Sequence, residues 1–272
     1  MRKIYQFTGP VRMIEGRHGH FLYNQHCHWV GKALETYGEC CEHEADLFSR
    51  LIKQEDNIWE IGANTGSRAV PLAQAASKGN YIGFEPQYEL FNILAGNLAI
   101  NGLHNARCLN IALGEQNGAV ELPPVNYEQP NNFGGISLLG GGGSGTRVEL
   151  HRIDDLNYLP QPNFMKIDVE GMESMVLRGG RETILRMRPI MYIENDRPDR
   201  SKELIELLWA LQYDLHWHIT PYFNEKNFFG IESNIYGKTS SFNMLCMPRE
   251  KGPRIQGLQL ITDANFHPLA KR

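Results

Sequence analysis

The sequence lacks several features that would point to a membrane protein, a disulfide-stabilised domain or a nucleic-acid binder. Among its 272 residues no apolar run reaches the roughly 18 residues that a transmembrane helix needs, so we predict no membrane span. Five cysteines, an odd number, occur without a Cys-x-x-Cys pair, which favours reduced thiols and a cytoplasmic location. The formal net charge of −4 at pH 7 disfavours a nucleic-acid partner, because such partners attract a basic surface.

A glycine turn follows the first predicted strand, and it differs from the turn that binds dinucleotides. The strand begins at Asn57, and glycines at Gly62 and Gly66 allow a ligand to approach the backbone closely. The pattern lacks the second glycine of G-x-G-x-x-G and carries Glu60 where a pyrophosphate would lie. A carboxylate there repels phosphate and suits a cationic or zwitterionic ligand such as S-adenosylmethionine. The turn therefore favours a methyltransferase over a nicotinamide-dependent oxidoreductase; a turn without a ligand is the third interpretation.

A second carboxylate stands at the end of the next predicted strand. Residues 81–84 read as a buried strand, and Glu85 and Pro86 follow it. The two oxygens of Glu85 can each accept a hydrogen bond from one hydroxyl of a ribose. A glycine turn after one strand and a carboxylate after the next together indicate a site for a nucleoside-bearing cofactor.

Helical and strand patterns alternate along most of the chain, which predicts an α/β fold with a parallel sheet and right-handed crossovers. Residues 1–38 are predicted to be an irregular N-terminal extension, residues 39–250 one domain and residues 251–272 a C-terminal tail. Within the domain, the glycine-rich residues 128–146 form either a disordered surface insertion or a lid that closes over substrate. The predicted helices cover residues 42–53, 67–77, 88–100 and 199–211, and the later strands cover residues 106–111, 163–167, 190–193, 213–217 and 241–247.

One motif in the second half of the chain is distinctive. Residues 166–173 read Lys-Ile-Asp-Val-Glu-Gly-Met-Glu and lie at the predicted carboxyl end of the fourth strand. This motif resembles the strand-end signature of the FkbM family of S-adenosylmethionine-dependent methyltransferases. Two departures are Glu60, where aspartate is commoner in the family, and the glycine run at residues 140–145. Supporting motifs lie at residues 60–66, 83–86, 97–102 and 241–246, so the resemblance covers roughly residues 37–250.

The resemblance implies both a fold and an activity. The fold is the class I methyltransferase (Rossmann-like) three-layer sandwich, whose mostly parallel seven-stranded sheet has its last strand antiparallel between strands five and six. Many FkbM-like proteins are assigned to O-methylation of sugars, polyketides or other secondary metabolites. The expected partner is accordingly a small-molecule or glycan acceptor. A module that binds S-adenosylmethionine without catalysis is the alternative, alongside the oxidoreductase.

We expect the site beyond the carboxyl ends of the strands, where ligands of open parallel sheets bind. Asp168, Glu170 and Glu194 follow the fourth and fifth predicted strands, and they are the expected catalytic residues. Asp168 is the first choice for base or acceptor anchor and Glu170 the second; a positioned base typically contributes about 10² to 10⁴ in rate. The residues expected to bind the cofactor are Glu60, Gly62, Ala63, Asn64, Thr65, Gly66, Glu85, Pro86, Asn110, Ile111, Ala112 and Asp168.

The same two strand ends also resemble a metal site. Asp168, together with Glu194 and Asn195, is similar to the arrangement in metal-dependent catechol-type O-methyltransferases, where two carboxylates and an amide hold Mg²⁺. Such an ion lowers the pKa of a bound hydroxyl and fixes its position. In the alternative interpretation, Glu194 and Asn195 form hydrogen bonds within the site and bind no ion. Lys166, inside the strand, is expected to pair with a neighbouring carboxylate.

Aromatic residues near the predicted mouth of the site have three interpretations. They stack on a sugar or a planar ring, pack in the core, or form a subunit interface. The oligomeric state is left open, and a homodimer is one option. The aromatic residues concerned are Trp217, Tyr222, Phe223, Phe228 and Phe229.

Overall fold

A small antiparallel sheet and one helix form the N-terminal part of the fold. The computed structural model describes residues 3–139, 145–251 and 257–270. Strands β1 (Ile4–Gln6), β2 (Val11–Gly16) and β3 (Gly19–Asn24) pair in sequence order, and helix α1 (Val30–Tyr37) follows. The prediction that residues 1–38 are irregular is therefore wrong. Strand β1 is exposed along its length and shows no alternation of buried and exposed residues. The buried side chains of the N-terminal part pack against Leu90, in a cluster that includes Ile14, Phe21, Tyr23, Val30 and Leu34.

From α2 to β6 and from β10 to β12 the chain alternates helices with strands, as the sequence predicts. The elements follow in the order α2 (Glu42–Leu51), β4 (Asn57–Ile61), α3 (Ala69–Ala75), β5 (Asn80–Phe84), α4 (Tyr88–Ile100), β6 (Ala106–Leu109), β7 (Ala112–Leu113), β8 (Gly118–Leu122), β9 (Thr146–His151), β10 (Phe164–Ile167), α5 (Glu173–Gly179), α6 (Arg181–Met187), β11 (Ile190–Glu194), α7 (Pro198–Ala210), β12 (Tyr213–Pro221), β13 (Ser240–Pro248) and β14 (Gln259–Leu260). Short 3₁₀ turns lie at Ile153–Asp155 and Arg249–Lys251.

The central sheet has the strand order that the family resemblance implies. Its order is β14-β12-β13-β11-β10-β4-β5-β6. Strands β11, β10, β4, β5 and β6 are parallel, and β13 runs antiparallel to both β11 and β12. The mostly parallel sheet with the antiparallel late strand between the fifth and sixth is confirmed. The two-residue strand β14, from the predicted tail, adds to its edge.

Helices cover both faces of this sheet, so the fold is the expected three-layer sandwich. Helices α2, α3 and α4 pack on the face that carries Ile58, Phe164 and Tyr192. Helices α5, α6 and α7 pack on the opposite face, against Trp59 and Ile167. Successive side chains of a strand point to opposite faces, and each fully buried apolar side chain contributes about 1.5–3 kcal/mol. In the described residues no helix combines the length and the apolar composition needed to cross a bilayer.

Two asparagines of α4 hold the N-terminal sheet against the main domain. The Asn97 side chain accepts a hydrogen bond from the Leu22 backbone N–H at 2.6 Å and donates to the Leu22 carbonyl at 2.9 Å. Asn101 makes the same pair of bonds with His20. Each amide thus continues the ladder of an exposed strand edge, which explains why residues 97–102 form a motif.

The glycine-rich insertion is only partly covered by the described residues. Residues 140–144, the centre of the glycine run, lie outside them. The preceding part packs on the domain, because Phe133 is fully buried and its carbonyl accepts a hydrogen bond from the Gln87 side chain at 2.8 Å. The described part of the insertion is therefore packed against the domain. Whether the segment closes as a lid stays a prediction.

Candidate active site

Two connected cavities lie at the carboxyl ends of β4, β5, β10 and β11. The first has an empty volume of about 470 Å³ and a largely apolar wall. The second, about 1440 Å³, extends towards α1 and the end of β12. Both are lined by Gly62, Glu85, Gly134, Asp168 and Glu170, so they form one continuous cleft.

The turn after β4 brings backbone, rather than side chains, to the junction of the cavities. Gly62 has φ +83°, and a Cβ there would lie 1.8 Å from the Asp168 carbonyl oxygen. The N–H groups of Gly62 and Ala63 donate to the Phe84 carbonyl at 2.9 and 3.0 Å. Only glycine fits this position, because the left-handed backbone and the contact both exclude a side chain.

The predicted loop residues divide into two sets. Gly62 and Asn64 line the cleft. Ala63 belongs to the core on the α2–α4 face, and the Thr65 side chain is buried, its N–H bound to the Asn64 side chain at 2.7 Å. Gly66 has φ +83° and contacts Leu94 of α4. The second set therefore shapes the turn and lines neither cavity.

Glu85 lies where both cavities meet, and the backbone around it fixes its carboxylate. Its Oε2 accepts the Asn64 N–H and its Oε1 the Gln87 N–H, both at 2.8 Å. Each oxygen keeps further acceptor capacity, which fits two hydroxyl donors. Burial raises the pKa of Glu85 from its ordinary 4.5 to about 7, and the two backbone hydrogen bonds oppose that rise.

Apolar side chains form the wall of the first cavity beyond Glu85. Of the predicted residues, Pro86, Ile111 and Ala112 lie in this wall. Asn110 does not line the cavity; its side-chain amide donates hydrogen bonds to the backbone carbonyls of Glu85 and Pro86 at 2.8 and 3.0 Å. The sequence did not single out the other members of the wall, which include Phe84, Gln87, Ile136, Leu138, Val169 and Met172.

Glu60 lies under the cleft and does not line either cavity. Its side chain is 1% exposed; Tyr81 donates a hydrogen bond to it at 2.6 Å, and Lys166 Nζ lies 3.8 Å away. Burial raises the pKa of Glu60, and the charge of Lys166 opposes that rise. The expectation that Glu60 contacts the cofactor stays a prediction, and the side chain lines neither cavity. Strand alternation turns this side chain to the α2–α4 face, where it positions Lys166.

Lys166 links Glu60 to Asp168, which confirms the expected pairing with a carboxylate. Its Nζ donates to Asp168 Oδ2 at 2.8 Å, and its side chain is 1% exposed. Burial would raise the pKa of Asp168, but the charges of Lys166 and Arg68 and hydrogen bonds from Lys166 and Glu194 hold it below its usual range. Asp168 is therefore an ionised carboxylate at the centre of the cleft.

Asp168, Glu170 and Glu194 form a cluster of three carboxylates. Each offers one oxygen, and these atoms all lie within 4.8 Å of one another. Burial and the charge of Asp168 raise the pKa of Glu170 to about 8 and that of Glu194 well above its usual range. Carboxylates this close retain protons or attract a cation, because like charges at this distance repel.

The predicted metal residues are brought together only in part. Asp168 and Glu194 lie in the cluster, and the third carboxylate is Glu170. The Asn195 amide nitrogen instead donates to Ser201 at 2.9 Å and contacts the Met244 sulfur at 3.3 Å, inside the core. An oxygen-rich triad of this kind suits Mg²⁺ or another hard cation.

The second cavity has an aromatic wall from two distant parts of the chain. Trp29 and Tyr222 line it, with ring centroids 5.1 Å apart. Trp29 also stacks on Tyr236 at 5.2 Å. Residues 1–38, predicted to be an N-terminal extension, therefore contribute Trp29 to the site. No local pattern in the sequence indicates this contribution.

The five aromatic residues singled out from the sequence have different positions. Tyr222 lines the second cavity, whereas Trp217 is buried in the core. Phe223 packs on Tyr37, and Phe228 and Phe229 contact each other at 5.4 Å. Packing in the fold thus accounts for Trp217, Phe223 and Phe229, whereas the Phe228 side chain is 44% exposed.

Other cleft residues were missed because they become neighbours only in the folded chain. They share a position around the second cavity and include Cys40, Cys41, Arg68, Asn132 and Lys238. Arg68 lies two residues after Gly66 of the glycine turn, and this position is the signal that could have identified it.

Comparisons with known proteins identify a family and two curated relatives. A family model described as the methyltransferase FkbM domain matches residues 60–228. The hexuronic acid methyltransferase AglP of Haloferax volcanii is 27% identical over 141 residues, which cover 50% of this chain and 56% of that protein. The 2-O-methyltransferase NoeI of Sinorhizobium fredii is 27% identical over 168 residues, covering 52% and 64%. The chain thus spans less than two thirds of either relative.

Among solved structures, similarity extends to a methyltransferase FkbM from Methylobacillus flagellatus KT. It aligns with a TM-score of 0.48 and 16% identity, covering 71% of this chain and 44% of that chain.

Proposed function

Because the chain belongs to the methyltransferase FkbM domain family, we propose that it transfers a methyl group from S-adenosylmethionine to a hydroxyl group of a sugar or glycan. One observation carries the proposal: a continuous cleft joins Glu85 to Asp168 and then opens into a wide cavity. The names of two relatives, a hexuronic acid methyltransferase and a 2-O-methyltransferase, support a sugar hydroxyl as the acceptor.

The first cavity fits the nucleoside of S-adenosylmethionine. Glu85 accepts the two ribose hydroxyls, and the apolar wall that contains Ile111 and Ala112 takes the adenine ring. Backbone groups of Gly62 and the side chain of Asn64 face the amino-acid end. When bound, S-adenosylmethionine supplies an electrophilic methyl group attached to a sulfonium.

Asp168 serves as the base in this mechanism. It lies at the junction of the cavities, where the acceptor hydroxyl must align with the methyl group. The Asp168 carboxylate would accept the proton of the acceptor hydroxyl, and S-adenosylmethionine held in the first cavity would supply the methyl group. Lys166 keeps Asp168 in place and ionised, and Glu60 holds Lys166 from behind.

The second cavity takes the acceptor. The rings of Trp29 and Tyr222 offer a face on which a sugar can stack, and Asn132 and Lys238 supply polar contacts. Because Trp29 belongs to residues 1–38, the functional unit includes this segment as well as the proposed domain at residues 39–250. The cytoplasmic location and a homodimer stay predictions.

Binding and turnover can be tested separately. We expect S-adenosylhomocysteine, but not NAD, to raise the melting temperature of the purified protein. Incubation with S-adenosylmethionine and oligosaccharides with and without hexuronic acid should then give a product heavier by one CH₂ group, read by mass spectrometry. NAD binding would establish the oxidoreductase, and cofactor binding without any product across such acceptors would favour the inactive binding module.

The affinity for the cofactor should depend on pH through Glu85. In the free protein its pKa is about 7, so the group is protonated below that pH. Ribose hydroxyls favour the ionised form, so binding releases a proton. The Kd for S-adenosylhomocysteine should therefore fall as pH rises from 5.5 to 7, by up to about tenfold per unit, and level off above 7.

Calorimetric titration across this range measures the effect. Glu85→Gln should bind more weakly and should lose the pH dependence, and adenosine, which has no amino-acid group, should show the same dependence as S-adenosylhomocysteine. A parent profile that is flat from pH 5.5 to 8 would contradict this role of Glu85.

We also propose that Asp168, Glu170 and Glu194 hold a divalent cation. Three carboxylates within 4.8 Å supply the oxygen ligands that Mg²⁺ prefers. Titration of chelator-treated protein with Mg²⁺ should give heat for one site. Glu194→Gln should lower the affinity about tenfold or more, because a charged ligand is lost. The exposed Glu182→Gln is the matched control and should bind as the parent does. Absence of heat, together with undiminished methyl transfer in chelator, would remove the metal from the proposal.

A further inference from the structure

Two adjacent cysteines occupy the short connection between α1 and α2 and line the second cavity. The sulfurs of Cys40 and Cys41 lie 3.5 Å apart. Cys41 is buried, whereas Cys40 is partly exposed. Both residues line the cleft, Cys40 is the more exposed of the two, and the two sulfurs lie in contact.

The backbone places both sulfurs together. Cys41 has φ +56°, in the left-handed region, and directly precedes the first residue of α2. In an extended chain, neighbouring side chains would point to opposite sides. A non-glycine residue in this region is strained. Here the strained residue is Cys41, whose thiol contacts the thiol of Cys40.

A buried cation compensates negative charge on the pair. Arg68 Nη2 lies 3.0 Å from Cys41 Sγ, and Arg68 Nε binds Glu44 at 2.7 Å. The hydrogen bond from the Cys41 thiol lowers the pKa of Cys40, with burial opposing and the charge of Arg68 adding to the effect. The same hydrogen bond raises the pKa of Cys41. The pair thus loses its first proton readily and its second with difficulty.

We propose that Cys40 and Cys41 form a peroxide-reactive dithiol site, in which oxidation closes a disulfide in the wall of the second cavity. The oxidant is a hydroperoxide, and hydrogen peroxide is its simplest member. This thiol chemistry does not depend on methyl transfer, so it stands or fails separately from the proposed function.

The reaction has two balanced steps. The Cys40 thiolate attacks one peroxide oxygen; a sulfur–oxygen bond forms, the oxygen–oxygen bond breaks, and hydroxide leaves and takes a proton to become water. The Cys41 sulfur, having lost its proton, then attacks the Cys40 sulfenic sulfur; the sulfur–sulfur bond forms and the sulfur–oxygen bond breaks, which releases a second water. In total two thiols lose two electrons and two hydrogens to one peroxide.

The product should be easily reversed. Adjacent residues hold their Cα atoms about 3.8 Å apart, which is below the usual range for a disulfide, and such strained bonds are more readily reduced. A bond that forms with peroxide and opens with a dithiol reagent suits a reversible modification.

Peptide mapping tests the proposal directly on the full chain. Trypsin cleaves after Lys32 and Arg50, so residues 33–50 form one peptide that contains both Cys40 and Cys41 and no other cysteine. After brief treatment with hydrogen peroxide and alkylation, this peptide should lose two hydrogens and resist alkylation. It should do so at least about tenfold faster than the half-buried Cys108 is modified, because the pair holds more thiolate. Dithiothreitol should reverse the change.

Two variants give the matched controls. Cys108→Ser should leave the oxidation rate of the 33–50 peptide unchanged. Cys41→Ser removes the resolving thiol but keeps a hydroxyl donor, so Cys40 should accumulate as a sulfenic acid that dimedone traps. The proposal is overturned if the 33–50 peptide is oxidised no faster than Cys108 in the parent, or if Cys41→Ser gives no dimedone adduct at Cys40.

Discussion

Replacing Asp168 with asparagine should lower the rate of methyl transfer by about 10² to 10⁴ while cofactor binding is retained. Asparagine has the same shape but cannot accept the hydroxyl proton. The loss corresponds to about 3–5 kcal/mol of transition-state stabilisation. Glu60 still faces Lys166 at 3.8 Å, so the buried ammonium keeps one anionic neighbour in the variant. The effect should therefore fall on kcat more than on the affinity for S-adenosylhomocysteine.

The measurement must count only folded molecules. We would express the rate per mole of protein that binds S-adenosylhomocysteine, determined by calorimetric titration. Asp199→Asn, on the exposed first turn of α7, is the matched control and should transfer methyl at the parental rate. An Asp168→Asn protein that binds the cofactor and stays within about threefold of the parent would show that Asp168 is not the base.

Replacing Gly62 with alanine should destabilise the protein by at least about 4 kcal/mol, since two costs combine at this position. A left-handed backbone strains any residue other than glycine by about 1–3 kcal/mol. In addition, the new Cβ would lie 1.8 Å from the Asp168 carbonyl oxygen, so β4 and β10 would have to move apart. A loss of this size lowers the melting temperature by roughly 8–16 °C in a domain of this length.

Gly9 provides a control that separates the two costs. Its φ of +85° nearly equals that of Gly62, but a Cβ there meets no atom within 4 Å. Gly9→Ala should therefore show the backbone strain alone, with a drop of roughly 2–12 °C that is smaller than the drop in Gly62→Ala. If Gly62→Ala does not accumulate as folded protein, the soluble yields of the two variants give the same comparison. Equal melting temperatures for both variants would rule out the steric contact as the cause.

Much of the fold could be predicted because local signals and tertiary structure agree. The strands β4, β5, β10 and β11 are short apolar runs that end at glycines or carboxylates, and the helices between them have clear periodicity. The N-terminal sheet could not be predicted in this way. Its strands depend on Asn97 and Asn101, which lie far away in the chain, and β1 has no buried face.

The site could be predicted where residues directly follow a strand. Glu85, Asp168 and Gly62 come from strand ends and meet at the junction of the cavities. Glu60 lines neither cavity because it lies inside β4, where alternation turns it to a helix-covered face. Trp29 and Cys40 line the cleft only because of how α1 packs, and no sequence motif indicates that packing.

The position of β13 has a consequence for the newly made chain. This nine-residue strand is the last long strand in the sequence, yet it lies in the interior of the sheet between β11 and β12. Until Pro248 has left the ribosome, β11 keeps an unpaired edge and β12 has no neighbour on that side. From the completion of β11 at Glu194 until that point, the nascent protein therefore carries an open β-edge, the kind of surface that pairs with other chains.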